Sequence, residues 1–235
     1  MTVLAKTLAL TIVYGWRPVA GFLSILRAEP ELRYSPKTLL VSFVVTTSQL
    51  LVVGWMFRRD LIPILVGDET SLHLIYKCVV AIATILVVDI GCAQLGRFPM
   101  RSSLIRVPAL QFDRQVMVQM ATAWFWVYCM LAGATEELLF RGLPLFRLHS
   151  RVDVVVVMAM SSTLFASQHL RNSTPRVAYR VIFGIVFAIQ FLAFGQLLPV
   201  IIGHIAGNWR VVFTARQMLA VQAANSQLQH SALVM

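Results

Sequence analysis

Two adjacent carboxylates, Glu136 and Glu137, stand in the stretch GATEELLFRGLP (133–144), at the end of an apolar run that begins near Val116. Leaving a charge unpaired at the centre of a bilayer costs at least about 2.5–3.5 kcal/mol even on the lenient insertion scale, so something must offset these acids. Arg141 lies four residues after Glu137, on the same helical face and with the glutamate N-terminal, the favourable order for an ion pair. Glu136 is five residues from Arg141, roughly 140° round a helix of 3.6 residues per turn, and the spacing does not give it that cation. The pattern therefore reads as one structural carboxylate and one available as a proton acceptor. The bland alternative is an EE-R cluster at a helix end facing water or headgroups. Two later stretches weigh against it: LFASQHL places Phe165 and His169 four apart, and IIGHIAGNW does the same with His204 and Asn208. A lone histidine near a span end is usually a hydrogen-bonded packing residue, but two such segments following an EExxxR are harder to dismiss.

The elements that must carry these residues are apolar helices. The chain has 235 residues, 58% hydrophobic and 13% charged, with a mean hydropathy of +0.77. That composition lies outside the range of a soluble domain. Runs of about 20 apolar residues recur along its length, which predicts an all-α, polytopic membrane helical bundle of about seven transmembrane segments, with six to eight the range. The spans are expected at 3–26, 38–57, 72–95, 116–148, 153–169, 177–195 and 199–219. They divide into N-terminal helices without a motif (1–115), a motif-bearing core (116–219) and a polar tail (220–235), all within one structural domain. The N-terminus lacks a clear cleavage site and reads as a retained first span. No lipidation box is evident.

The net charge of +10 and pI near 10.4 come from basic residues scattered singly between apolar spans. This lacks the clustered patch that nucleic-acid binding needs, and no nucleic-acid partner is expected. Anionic lipid headgroups suit the distribution better. Lys and Arg weigh toward the connections after spans one, three and five, which puts the C-terminus in the cytoplasm. Cys78, Cys92 and Cys129 all lie in apolar runs without a CxxC and read as small core hydrophobes.

Taken in order, EELLFRG (136–142), FASQH (165–169) and HIAGN (204–208) resemble the three boxes EExxxR, FxxxH and HxxxN of the CPBP family of intramembrane proteases, which comprises CAAX proteases and bacteriocin-processing enzymes and includes the type II CAAX prenyl endopeptidases. The resemblance extends over roughly 116–219. It implies an endopeptidase acting on a membrane-associated protein or peptide. Glu136 would take a proton from water that His169 helps to hold, and His204 and Asn208 would donate to the oxyanion. Glu137 and Arg141 would tie the fourth span to its neighbours, with Phe165 packed beside His169. A metal-free mechanism gives Glu136 and Asn208 evident tasks. Zinc held by Glu136, His169 and His204 is the alternative, since two histidines and a glutamate make a catalytic set with an open position. The small size suits a prokaryotic plasma-membrane member.

A straight zigzag of spans would leave His169 and His204 near opposite membrane faces. Some segment must be short, tilted or re-entrant, with a buried loop at Gly195 and Pro199 and a second bend at Gly142 and Pro144 as the expected places. Other intramembrane protease types are disfavoured, because HExxH, GxGD and GxSx are missing and Asp89 stands as the one aspartate deep in a span. Asp89 is expected to pair with Lys77, Arg17 or Arg180, and Ser161, Ser162 and Thr163 to serve close helix packing. The rival functions are a catalytically silent scaffold, an immunity or regulatory protein, and a proton-coupled transporter.

Overall fold

The computed structural model describes residues 36–56, 58–67, 70–95, 123–148, 152–167 and 174–234, and among them every regular element is helical. The expected first span (3–26) lies outside the described residues. Helix α1 (Pro36–Met56) opens on a proline, which tolerates a first helical turn because its missing N–H would have had no partner there. It buries Thr46, Gln49 and Val53, a stripe at helical spacing. A short helix α2 (Arg58–Leu65), not anticipated in the sequence, follows directly.

Helix α3 (Ser71–Leu95) matches the expected third span. Within it Ser71–Cys92 is long and apolar enough to cross a membrane, with a mean hydropathy of 2.2, and only 11% of that window is buried. Leu72, Ile75, Tyr76, Val79 and Val87 point outward. An apolar helix turned outward suits lipid, whereas the core helix of a soluble protein is mostly buried. The other apolar stretches are shorter, Phe43–Trp55, Val154–Ser167 and Ala178–Phe194, so one helix among the described residues meets the spanning criterion where about seven were expected.

Helix α4 (Ala123–Glu137) runs without a break through a wide π-helical turn (Leu138–Gly142) into α5 (Leu143–Leu148). The widening has an identifiable cause. Pro144 carries no N–H, so the carbonyl of Phe140 loses its helical donor. The Ser161 hydroxyl donates to that carbonyl from the next helix, and the Leu143 N–H reaches back five residues to the Leu138 carbonyl. Where water is scarce, such side-chain and π-turn substitutions keep backbone groups satisfied. The bend expected at Gly142 and Pro144 is thus a change of helical pitch.

Helix α6 (Val154–Ser167) packs on α7 (Thr174–Phe194). The Asp153 carboxylate caps α6 by accepting from the N–H of Val155 at 2.7 Å. A tight turn at 195–197 then leads into α8 (Leu198–Val234). Gly195 adopts φ +66°, and Gln196 and Leu197 are buried. The Leu197 N–H donates to the Ile64 carbonyl at 2.8 Å, which gives α2 its role, and Lys77 Nζ donates to the Phe194 carbonyl at 2.7 Å. This is the irregular, protein-buried backbone expected near Gly195 and Pro199, in a shorter form. Helix α8 continues through the polar tail to Val234, because the tail is rich in Ala, Gln and Leu and free of Gly and Pro.

Helix α8 lies antiparallel to α4: Trp126 meets Trp209 and Phe213, Cys129 meets Asn208, and Gly142 meets Leu197. It runs parallel to α3, with Gly203 against Ala81 and Gly207 against Ile85. A Cβ on Gly203 would fall 3.2 Å from the Ala81 Cβ and 3.3 Å from its carbonyl, so this GxxxG pair is what lets the two backbones close. The register carries Asp89 to Arg210. Asp89 pairs with Arg210 and accepts from the Tyr179 hydroxyl, which corrects the expectation of Lys77 or Arg180 as its partner; Arg17 lies outside the described residues. Thr163 bonds within its own helix to the Ala159 carbonyl at 2.8 Å. All three cysteines are free thiols, Cys129 buried and the others half-buried.

Candidate active site

Four helices and the π turn deliver one buried polar cluster. Glu137, the last residue of α4, and Arg141, inside the π turn, are both 0% exposed. Arg141 Nη1 donates to Glu137 Oε1 at 3.1 Å, the i,i+4 pair read from the sequence. The same Oε1 lies 2.5 Å from Nδ1 of His204, which α8 brings from 67 residues away. Glu137 therefore acts as a hub, binding a guanidinium on its own helix and an imidazole on another. A buried charge in low dielectric needs partners of this kind.

Glu136 also turns toward His204. Its Oε2 stands 3.7 Å from Nε2, and the residue is 8% exposed. The two adjacent glutamates thus face the two nitrogens of one ring. That separation is beyond a direct hydrogen bond and within reach of a bridging water or a substrate atom. A hydrogen bond at Nδ1 sets what Nε2 presents, the usual way a partner fixes an imidazole.

Aromatic residues wall the cluster. Phe165, from α6, is fully buried, with the Arg141 guanidinium 4.3 Å over its ring and the His204 ring at 6.0 Å edge to face. It was expected beside His169; the described partners are Arg141, Phe140 and His204. Phe187, from α7, stacks on His204 with ring centres 4.8 Å apart and planes 17° apart, and Arg141 also sits 5.3 Å over it. Gly184, one turn earlier on α7, lets α7 close on α6: a Cβ there would lie 2.9 Å from the Ser162 Cβ and 3.2 Å from Arg141 Nη2. Asn208, one turn beyond His204, is half-buried and directs Nδ2 toward the Cys129 carbonyl at 3.5 Å.

The structure thus brings together Glu136, Glu137, Arg141, Phe165 and His204, with Asn208 on the same face of α8 as His204. His169 lies outside the described residues, two positions past the end of α6. The sequence reading missed Phe187 and Gly184. Within an apolar run, a phenylalanine gives no signal of what it stacks on, and Gly184 reads as ordinary helix packing. Among the described residues no group of three or more His, Cys, Asp or Glu is placed to hold a metal ion. Glu136 Oε2 and His204 Nε2 supply two converging donors, and a catalytic zinc takes three protein ligands, so the zinc alternative turns on His169.

The described residues form an all-helical arrangement that holds a buried glutamate–histidine centre beside an outward-facing apolar helix long enough to cross a membrane. Residues 118–210 match the family model described as Type II CAAX prenyl endopeptidase Rce1-like. This stretch, which contains Glu136, His169, His204 and Asn208, is similar to that family, and the match supports a CPBP-family intramembrane protease. No curated protein and no solved structure matches it.

Proposed function

We propose that this protein is a multi-pass membrane endopeptidase that hydrolyses a peptide bond of a membrane-associated protein or peptide. The observation that carries the reading is the 3.7 Å approach of Glu136 Oε2 to His204 Nε2 in a buried setting, with Glu137 gripping the opposite ring nitrogen. A neutral or charged ring alike spends its Nδ1 proton on Glu137, so the chemistry is left to Nε2.

In the proposed reaction Glu136 takes a proton from a water held between it and the histidines, with His169 contributing as the family's second box implies. The water oxygen attacks the scissile carbonyl. Asn208 Nδ2 donates to the developing oxyanion, and so does Nε2–H of His204 in the doubly protonated ring whose Nδ1–H is held by Glu137; fixed donors in a low-dielectric site are worth most. Collapse breaks the carbon–nitrogen bond, and the proton on Glu136 passes to the departing amine. Arg141 pairs with Glu137 and holds the second carboxylate in the framework, leaving the proton transfer to Glu136. If zinc takes part, Glu136, His169 and His204 are the residues that would hold it, and it would polarise the water.

The outward apolar face of α3 supports integral membrane insertion, and the small chain suits a prokaryotic plasma membrane. The partners are a membrane protein or peptide as substrate and anionic lipids around the basic connections. The test compares membrane peptidomes of cells carrying wild type and Glu136→Ala. A cleavage product present in the first and missing in the second supports the proposal and identifies the substrate. Identical profiles, with the variant at wild-type abundance, sink it in favour of a silent scaffold. A chelator that abolishes cleavage, with zinc restoring it, selects the metal-bound form of the mechanism.

A further inference from the structure

From helix α7 a phenyl ring, Phe187, makes a stacked contact with the histidine of the cluster. Phe187 is 1% exposed and lies nearly parallel to the His204 imidazole. Phe165 meets the same ring edge-on from α6, planes 86° apart. The imidazole is thus held on its face by one phenyl and at its edge by another.

That enclosure answers a geometric need. Rotation of a histidine ring about its second side-chain torsion is broad, with no sharp staggered well. The contact between Nδ1 and Glu137 selects which way round the ring sits, but a single hydrogen bond is a hinge about which the plane can still tilt. Nε2 is on the far side of the ring from that hinge, so a tilt moves it relative to Glu136. A stacked phenyl at 4.8 Å resists this tilt, since leaving the parallel arrangement forfeits dispersion contact across the whole face.

We propose that Phe187 is a positioning residue for His204: its ring fixes the imidazole plane so that Nε2 is presented to Glu136 while Nδ1 stays on Glu137. The proposal rests on the hydrolytic reading above for its kinetic consequence, though not for its structural one. Phe187 touches no reacting atom; its ring stacks on His204 and also lies 5.3 Å under the Arg141 guanidinium. Phe183, one turn earlier and 5.9 Å from Phe187, braces its outer side, which keeps the stack from sliding.

The experiment uses full-length protein labelled with 13C-histidine and reconstituted in liposomes of phosphatidylethanolamine and phosphatidylglycerol. Solid-state NMR reads the carbon–proton dipolar couplings of the His204 ring, assigned by their loss in His204→Ala. Wild type and Phe187→Tyr, which keeps the flat ring, are expected near the rigid value, S² about 0.85, and Phe187→Leu, which keeps apolar bulk, below about 0.6. A His204 ring equally rigid in Phe187→Leu overturns the proposal whether or not the protein is a protease. With the peptide identified from the membrane peptidome, Phe187→Leu should lower kcat about 10- to 100-fold, the scale of a catalytic group misplaced by about 1 Å. KM should stay within twofold, and Phe187→Tyr should restore kcat. A change confined to KM, or an equal loss in Phe187→Tyr, contradicts positioning. A protein that cleaves nothing but shows the ring loosening would end the protease reading and leave the Phe187 assignment standing.

Discussion

Among the described residues two polar clusters interrupt the apolar helices, and they are built differently. At the junction of α4 and α8, Glu137, Arg141 and His204 are almost completely buried and walled by Phe165 and Phe187. Near the far end of α3, Asp89, Tyr179 and Arg210 join three helices with side chains still 28% exposed at Asp89 and 39% at Arg210. The second cluster is a clasp: one acid, one cation and one hydroxyl that satisfy each other. The first sets two adjacent acids on one imidazole, Glu137 at Nδ1 and Glu136 at 3.7 Å from Nε2. Two buried carboxylates on one imidazole make the place where proton transfer fits; a partly exposed acid and cation make a fastening.

The contrast can be broken most severely at Arg141. Arg141→Ala leaves Glu137 buried with its guanidinium gone, and removing one partner of a buried pair costs about 3–5 kcal/mol. Thermal unfolding in detergent should show a large drop in midpoint or failure to accumulate; near-wild-type stability would mean that the hub is not buried as described. Next in size is Gly184→Ala, whose methyl would collide with Ser162 and crowd Arg141. Overpacking of this kind costs about 1–3 kcal/mol, and cleavage should fall along with stability because the strain is transmitted to Arg141. The smallest effect is expected at the clasp. Asp89→Asn should cost at most about 1 kcal/mol after allowing for its partial exposure, and should leave cleavage unchanged. If Asp89→Asn silenced cleavage while the folded protein persisted, the division between site and fastening would be wrong.

Much of this was legible in the sequence, for local reasons. The Glu137–Arg141 pair follows from four-residue spacing, and α3 from an uninterrupted apolar run of membrane length. The ordered boxes pointed to the family before any coordinates, because each box is a short-range pattern on one helix. What escaped depends on contacts between helices. That His204 lands on Glu137, 67 residues away, is set by the antiparallel register of α4 and α8. The π turn needs both Pro144 and the Ser161 hydroxyl on another helix, and neither residue alone announces it. Asp89 finds Arg210 because Gly203 and Gly207 let α8 run alongside α3, a pairing that counting charges along the chain does not reveal. Phe187 is invisible for the same reason: an aromatic residue in a greasy helix has a meaning only once its neighbour is known.

The central claim is that Glu136 activates a water for attack on a peptide bond. Purified protein in liposomes, given the peptide found by the peptidome comparison, should be run in water enriched in oxygen-18. The new C-terminal carboxylate should carry one heavy oxygen with the wild type, and Glu136→Gln should form that product about 100- to 10,000-fold more slowly, the usual range for loss of a general base. Product formed at the wild-type rate by folded Glu136→Gln protein, with the label incorporated as before, would contradict the claim.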